Sequence, residues 1–484
     1  MKKVLSLLSF LLILSCAKDD DLSIPGSINP DPNAGVDVQD FMWKAMNYWY
    51  FWQAEVPDLS DDLFINSEDY TAFLVSETDP GQFFDNKLLF SEDRFSVYKE
   101  NYKDLTNALA GISRSNGVEF GLVGYADNDD IFGYVRYIIP NSDASTKDIS
   151  RGELFTKVGG VTLNNNNYID LLFGENDTYT LTMATMVNGI PTESDKEVNL
   201  TKQDGLAENP IFLSKSFEIN GEKIGYLVYN GFTDEYDELL NEVFSTFKTD
   251  GITNLVLDLR YNPGGSVNTT LLLGSMIFST NTDNLFLKKR YNAKIQPIYT
   301  TSLFFANKTA RGSTLNTLNL SKVYILTTKS SASASELLIN CLEPYIDVVH
   351  IGETTRGKNE FSATMVDDRG NSYIYNPSRV NKINPDVQWG LQPLIGRNEN
   401  ADGFSDYTSG LVPDIELKED LANLSVLGDQ NEPLLARAIQ EISGTTGKRD
   451  FTVQVPAFII TSSKMFAPLR DNMYDNSPIK INLE

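Results

Sequence analysis

The sequence predicts a multidomain α/β protein, and three patterns carry that expectation. Between Ile211 and Gln440, short apolar runs alternate with amphipathic helical stretches, as in helices layered on a mostly parallel sheet. Between Gly117 and Met186, strand patterns follow one another, separated by Gly, Asn and Asp turns. From Val36 to about Ile112, apolar residues recur at helical spacing. A chain of 484 residues can hold several such units, each with its own core.

The chain opens on Lys2 and Lys3, then an apolar run from Val4 to Leu14 that is too short to span a bilayer. Residues 1–15 therefore read as an export signal. Its end, Ile13-Leu14-Ser15-Cys16, resembles a bacterial lipobox, which implies lipidation of Cys16 and a membrane anchor. Ala17-Lys18-Asp19-Asp20-Asp21 resembles the acidic tag of Bacteroidetes surface lipoproteins, so an outer-membrane, periplasmic or cell-surface location is expected. Residues 16–35 are rich in Asp, Pro, Ser, Asn and Gly, bury too little to fold, and form a flexible tether.

Residues 36–113 form an N-terminal helical domain. Phe41, Met42, Ala45, Met46 and Trp49 share one stripe, and further helices are expected near Glu68–Ser76 and Tyr102–Ile112. Residues 114–205 form a β-rich unit with strands over 132–139 and 178–183 and a short helix over 168–172. Residues 206–440 form the α/β core. Its strands lie at 223–229, 254–259, 323–326 and 348–351, with helices over 236–247 and after Asn268. The extension 441–484 is partly apolar and carries no candidate chemistry.

Composition removes whole classes of function. Lys plus Arg total 40 against 66 Asp plus Glu, a net charge of −26, whereas nucleic-acid binding needs concentrated positive charge. Only Cys341 accompanies Cys16, so neither a disulfide framework nor a cysteine zinc site is expected. With a single histidine and no compact carboxylate set, no metal and no cofactor is expected.

That histidine shortage shapes the chemistry. His350 lies in a predicted strand, between the cluster Ser331-Ala332-Ser333-Ala334-Ser335-Glu336 and Gly357-Lys358. A serine nucleophile needs a base within reach. A lysine serves if burial lowers its pKa toward neutrality, which points to a Ser/Lys hydrolase. The apolar run after the serines suggests that they open a helix, whose amide dipoles favour a developing anion. A Pro263-Gly264-Gly265 turn ends the strand Leu257-Asp258-Leu259, and its glycines allow backbone N–H groups to approach a ligand. Each segment also has a plainer reading. Ser333 to Glu336 fits a helix capping box. Gly352 to Lys358 satisfies most of a phosphate-binding loop, but Asn359 replaces the magnesium-binding hydroxyl and an extended segment follows where a helix is needed.

Taken together, "DLRYNPGG" (258–265), "SASASE" (331–336) and "GETTRGK" (352–358), with Gly410-Leu411-Val412-Pro413-Asp414 downstream, resemble the S41 family of C-terminal processing peptidases. The resemblance implies a ClpP/crotonase-like core with Ser333 as nucleophile and Lys358 as base. It also implies an oxyanion hole from the amide of Ala334 and that of Gly264 or Gly265. The β-rich unit, with Pro140 to Ser145 and Arg151 to Gly160, resembles the PDZ domains of processing proteases. There a loop near Val118, Glu119, Phe120 and Gly121 would hold a peptide's C-terminal carboxylate. One position departs from the family pattern: Ser362 stands where a Gln often orients the lysine. The resemblance thus implies an exported, lipid-anchored serine endopeptidase acting on polypeptides, most simply through their C-termini. The other reading is a peptide-binding lipoprotein that keeps the fold without turnover.

Overall fold

The computed structural model describes residues 28–125, 128–299, 302–444, 457–466 and 471–475. The export signal, Cys16 and most of the tether lie outside the described residues.

Helix α1 (Asp37–Trp49) is buried on almost every side. Its stripe is core, as the spacing predicts, but that core is shared: Phe41, Met42, Met46 and Trp49 belong to one cluster with Phe286, Leu287, Phe361 and Leu391, which lie far along the chain. Trp49 Nε1–H donates to the Ser372 carbonyl at 2.7 Å. Helices α2 (Ser67–Leu74) and α3 (Tyr102–Leu109) begin where Asn66 and Asn101 accept hydrogen bonds from the backbone amides of Asp69 and Lys103.

The β-rich unit is an antiparallel sheet of β1 (Val118–Tyr125), β2 (Ile131–Ile138), β3 (Leu154–Val158), β4 (Thr178–Val187) and β5 (Ile190–Thr201) in that spatial order. Helix α4 (Tyr168–Phe173) closes its apolar side, where Leu172 meets Phe120, Phe155 and Leu181. β4 and β5 join through Asn188-Gly189, both at positive φ, the conformation that matches a two-residue hairpin to strand twist. Val118 to Gly121 open strand β1 and pair with β2, so the expected carboxylate loop is not at these positions. Their alternating apolar side chains fill the sheet core, and the turn falls one step earlier at Asn116-Gly117.

The core sheet runs β6-β7-β8-β10-β11-β14. Its strands are β6 (Ile211–Ile219), β7 (Glu222–Tyr229), β8 (Asn254–Asp258), β10 (Lys322–Thr327), β11 (Asp347–Gly352) and β14 (Ile415–Glu416). All neighbours are parallel except β6 with β7. Helices α5 (Asp237–Asp250), α6 (Val267–Ile277) and α7 (Ala334–Leu342) supply the crossovers. Leu227, Leu257 and Ile325 face these helices, whereas Tyr226, Val256 and Leu326 face α8 (Pro433–Ser443). Alternation along each strand thus builds two cores from one sheet. A second, smaller sheet carries β9 (Leu285–Tyr291), β12 (Glu360–Ser362) and β13 (Leu394–Glu399), all antiparallel. The last strand among the described residues, β15 (Ala457–Ser462), joins the free edge of β1.

Past the end of β8, Arg260 is fully buried. It is satisfied by Asp258 (2.7 Å), Glu432 (2.7 Å) and Glu419 (3.2 Å). Arg151, from the β-rich unit, reaches the same Glu419 at 3.0 Å. A buried charge left unpaired is very costly, so this cluster fixes the turn that follows and ties the β-rich unit to it.

Candidate active site

Three loops converge at the carboxyl ends of β8, β10 and β11, where α/β sheets commonly bind ligands. Two of the three clustered serines serve the scaffold. Ser331 Oγ donates to the Leu259 carbonyl at 2.8 Å, and Ser335 Oγ donates to the Asn262 carbonyl at 3.0 Å. Ser333 Oγ is buried and has no hydrogen-bond partner among the described residues. Ser333 caps α7 at φ 63° and ψ −110°, a strained conformation for a residue with a side chain. Its capping box is lopsided. Glu336 Oε2 accepts the Ser333 N–H at 2.7 Å, while the hydroxyl lies over the helix start without a well-formed bond.

The glycine turn presses against this serine. A Cβ on Gly264 would fall 2.6 Å from Ser333 Cβ, and one on Gly265 would fall 2.2 Å from the Phe232 carbonyl oxygen. Gly264 N–H is committed to Asn262 Oδ1 at 2.9 Å, which removes it as an oxyanion donor. Of the three amides expected for that role, Ala334 and Gly265 remain. The correction is physical: Asn262 folds back to close the turn, and the amide it occupies is the first glycine's.

Glu336 binds the pieces together. Besides Ser333 N–H it accepts Lys358 N–H (3.0 Å), Gly357 N–H (2.7 Å) and the Thr355 hydroxyl (2.5 Å). One carboxylate oxygen therefore bridges the backbones of Ser333 and Lys358. Burial pushes the Glu336 carboxyl above its ordinary value, and these hydrogen bonds recover part of the shift. The capping reading and the catalytic one are thus compatible, because the cap also holds the loop that carries the lysine.

Lys358 is fully buried, and burial pushes its pKa down to about 8 against the opposing pull of Asp471, Glu360 and Asp93. Its ammonium lies 4.2 Å from the Phe95 ring centroid. Nζ donates to the Asp471 carbonyl at 3.0 Å and to Asn472 Oδ1. It makes no hydrogen bond to Ser333 Oγ. Serine and lysine are thus brought to one buried site by Glu336, but the lysine head is turned to the C-terminal segment. Arg94 supports the same loop through the Gly357 carbonyl at 2.9 Å.

Ser362 Oγ donates to the Met473 carbonyl (3.0 Å) and accepts from Gln392 Nε2 (2.9 Å), so it does not touch the lysine. His350 is a strand residue beside Thr327, and burial pushes its pKa down to about 4, which keeps it neutral. Val118 and Phe120 line a separate cavity of about 660 Å³ with Asn116, Leu172, Tyr179 and Ser463, away from Ser333. Gly121 lies beyond it on β1. The residues that the sequence did not disclose are Arg94, Phe95, Asn262, Asp471 and Asn472. Asn262 lies inside the DLRYNPGG motif, where nothing marks its turn-closing role, and the other four reach the site from parts of the chain that carry no recognisable motif.

Residues 223–415 match Peptidase family S41, and residues 37–97 match the Peptidase S41 N-terminal domain. The chain belongs to peptidase family S41. All three site loops, Gly410 to Asp414 and the strands β8, β10 and β11 that carry the loops fall within the S41 match, and Arg94 and Phe95 fall within the N-terminal one. The Carboxyl-terminal-processing protease of Picosynechococcus is 24% identical over 266 residues, covering 54% of this S41 chain and 58% of the relative. A Staphylococcus aureus protein named "Probable CtpA-like serine protease" is 25% identical over 318 residues, covering 63% and 57% respectively. The chain spans less than three-fifths of the length of these curated relatives. A crystal structure of an S41 chain from Bacteroides fragilis superposes with a TM-score of 0.65 at 26% identity, over 84% of this chain and 97% of that one.

Proposed function

We propose that the protein is a serine endopeptidase of the C-terminal processing type, with Ser333 as nucleophile and Lys358 as general base. One observation carries the reading. Of the three clustered serines only Ser333 has a hydroxyl left uncommitted among the described residues, and its amide shares a carboxylate oxygen with the amide of Lys358, whose side chain is fully buried. In the reaction Lys358 Nζ takes the Ser333 proton as Oγ attacks the scissile carbonyl. The oxyanion forms against the N–H groups of Ala334 and Gly265, a donor pair whose members are each worth about 2.7–4 kcal/mol in such sites. Lys358 then gives the proton to the departing amine, and water resolves the acyl-enzyme.

The base must be uncharged, so the active fraction grows as pH rises through the lysine's pKa near 8. A fluorophosphonate probe should label Ser333, with labelling and hydrolysis increasing together from pH 6.5 to 9. Labelling that is flat across that range, or that survives Ser333→Ala, removes the dyad.

The β-rich unit serves as a PDZ-like recognition domain, in which the edge of β1 accepts an extended peptide beside α4 and so favours polypeptides with free tails. The protein is exported and anchored through lipid on Cys16. Cys16→Ser should abolish incorporation of labelled palmitate and release the protein from membranes, and unchanged incorporation rules out the anchor.

A further inference from the structure

The C-terminal segment follows the route a substrate would take. β15 lies antiparallel on the free edge of β1, with Ala457 opposite Tyr125 and Ser462 opposite Gly121, so it runs toward the start of β1. That is how an extended ligand closes a sheet edge. At its end Phe120 N–H donates to Ser463 Oγ at 3.0 Å, and Lys464 Nζ is held by Glu208 (2.9 Å) and the Asn230 carbonyl (2.6 Å).

Residues 471–475 then lie in the catalytic cleft as an inserted strand. Tyr474 N–H donates to the Gly265 carbonyl (3.0 Å), and the Tyr474 carbonyl accepts from Val267 N–H (2.9 Å). On the opposite wall Ser362 N–H donates to the Met473 carbonyl (2.8 Å), and Asp475 N–H donates to the Ser362 carbonyl (3.1 Å). The strand is parallel to both walls. Arg356 pairs with Asp471 at 3.3 Å and Lys289 pairs with Asp475, pinning the two ends. The lysine that should serve Ser333 is occupied by Asp471 and Asn472.

We propose that β15 and residues 471–475 are a cis-acting peptide ligand, by which the chain's own C-terminal segment fills the recognition edge and the catalytic cleft and excludes substrate until displaced. The inference rests on the reading of Ser333 and Lys358 as the catalytic pair. Four of the cleft bonds are main-chain to main-chain, so another extended peptide can replace them, while the ion pairs and the buried Tyr474 ring favour this one.

Two full-length variants should move activity in opposite directions. Tyr474→Pro deletes the N–H that bonds Gly265 and breaks the inserted strand. If the segment is docked nine-tenths of the time, eviction raises kcat/KM on an unfolded protein about tenfold. Val123→Cys with Ile459→Cys places two thiols opposite each other in the β1–β15 ladder. Its oxidised form should lose most activity on tailed substrates and recover it on reduction. A synthetic peptide of residues 457–475 should inhibit the Tyr474→Pro chain competitively. Unchanged rates in both variants, with Ser333 still labelled by the probe, overturn the cis ligand. Absence of labelling in every form overturns the catalytic reading instead. In that case fluorescence anisotropy of the peptide on the Tyr474→Pro chain still decides docking, and no binding refutes it.

Discussion

Ser333→Ala and Lys358→Ala are each expected to abolish cleavage of an unfolded protein, with losses on the order of 10⁶-fold, as found where a serine nucleophile or its base is deleted. The two variants differ in what else they disturb. Ser333 Oγ has no hydrogen-bond partner among the described residues, so its removal strands no polar group there and the melting temperature should stay within a degree or two. Lys358→Ala frees the Asp471 carbonyl and Asn472 Oδ1, so it should loosen the C-terminal segment as well as remove the base. Lys358→Arg should not rescue activity, because a guanidinium stays charged and cannot accept the serine proton. Single-turnover assays beside thermal melts would check this, and appreciable turnover in Ser333→Ala would end the assignment.

The next largest effect is expected at Glu336. Replacement by Ala leaves three backbone N–H groups and the Thr355 hydroxyl without their acceptor, at about 1–3 kcal/mol for each buried group so stranded. Glu336→Gln is the sharper test. Its amide offers one acceptor oxygen and an NH₂ that must face N–H donors, so either the Ser333 and Lys358 amides or the Thr355 and Gly357 side loses its partner. Displacing the catalytic pair by about 1 Å can cost on the order of 10²-fold in rate. Because Glu336 acts by positioning, the alkaline-rising limb of the pH profile should also move in Glu336→Gln. A chain with normal kcat and an unmoved limb shows that the carboxylate only caps a helix.

The core was legible because its signals are local. An apolar strand ending in Pro263-Gly264-Gly265, and serines before an apolar helical run, announce their geometry within a few residues. The same holds for α1, whose stripe announces burial without announcing its partner: Phe286 and Phe361 are more than two hundred residues away. The oxyanion donors were ambiguous in sequence because the choice depends on where Asn262 Oδ1 lands, a rotamer that no spacing encodes. Least visible was the role of Asp471 to Asp475. The strand's ladder to the two cleft walls is made of backbone groups, which every residue carries, so no side-chain pattern marks it. Arg94 and Phe95 escaped for a related reason, since they reach Lys358 through the packing of one region on another.

The turn at Ser333 sets a limit on how robust this protein can become. Positive φ at a residue with a Cβ costs about 1–3 kcal/mol, held in place here by Leu337 N–H on the Ser333 carbonyl at 2.8 Å and by Glu336 on its amide. Glycine would adopt the same shape at ease, yet it has no oxygen to offer. Any lineage drifting toward heat tolerance at this codon would trade its chemistry for durability, leaving a sturdier shell that only holds peptides.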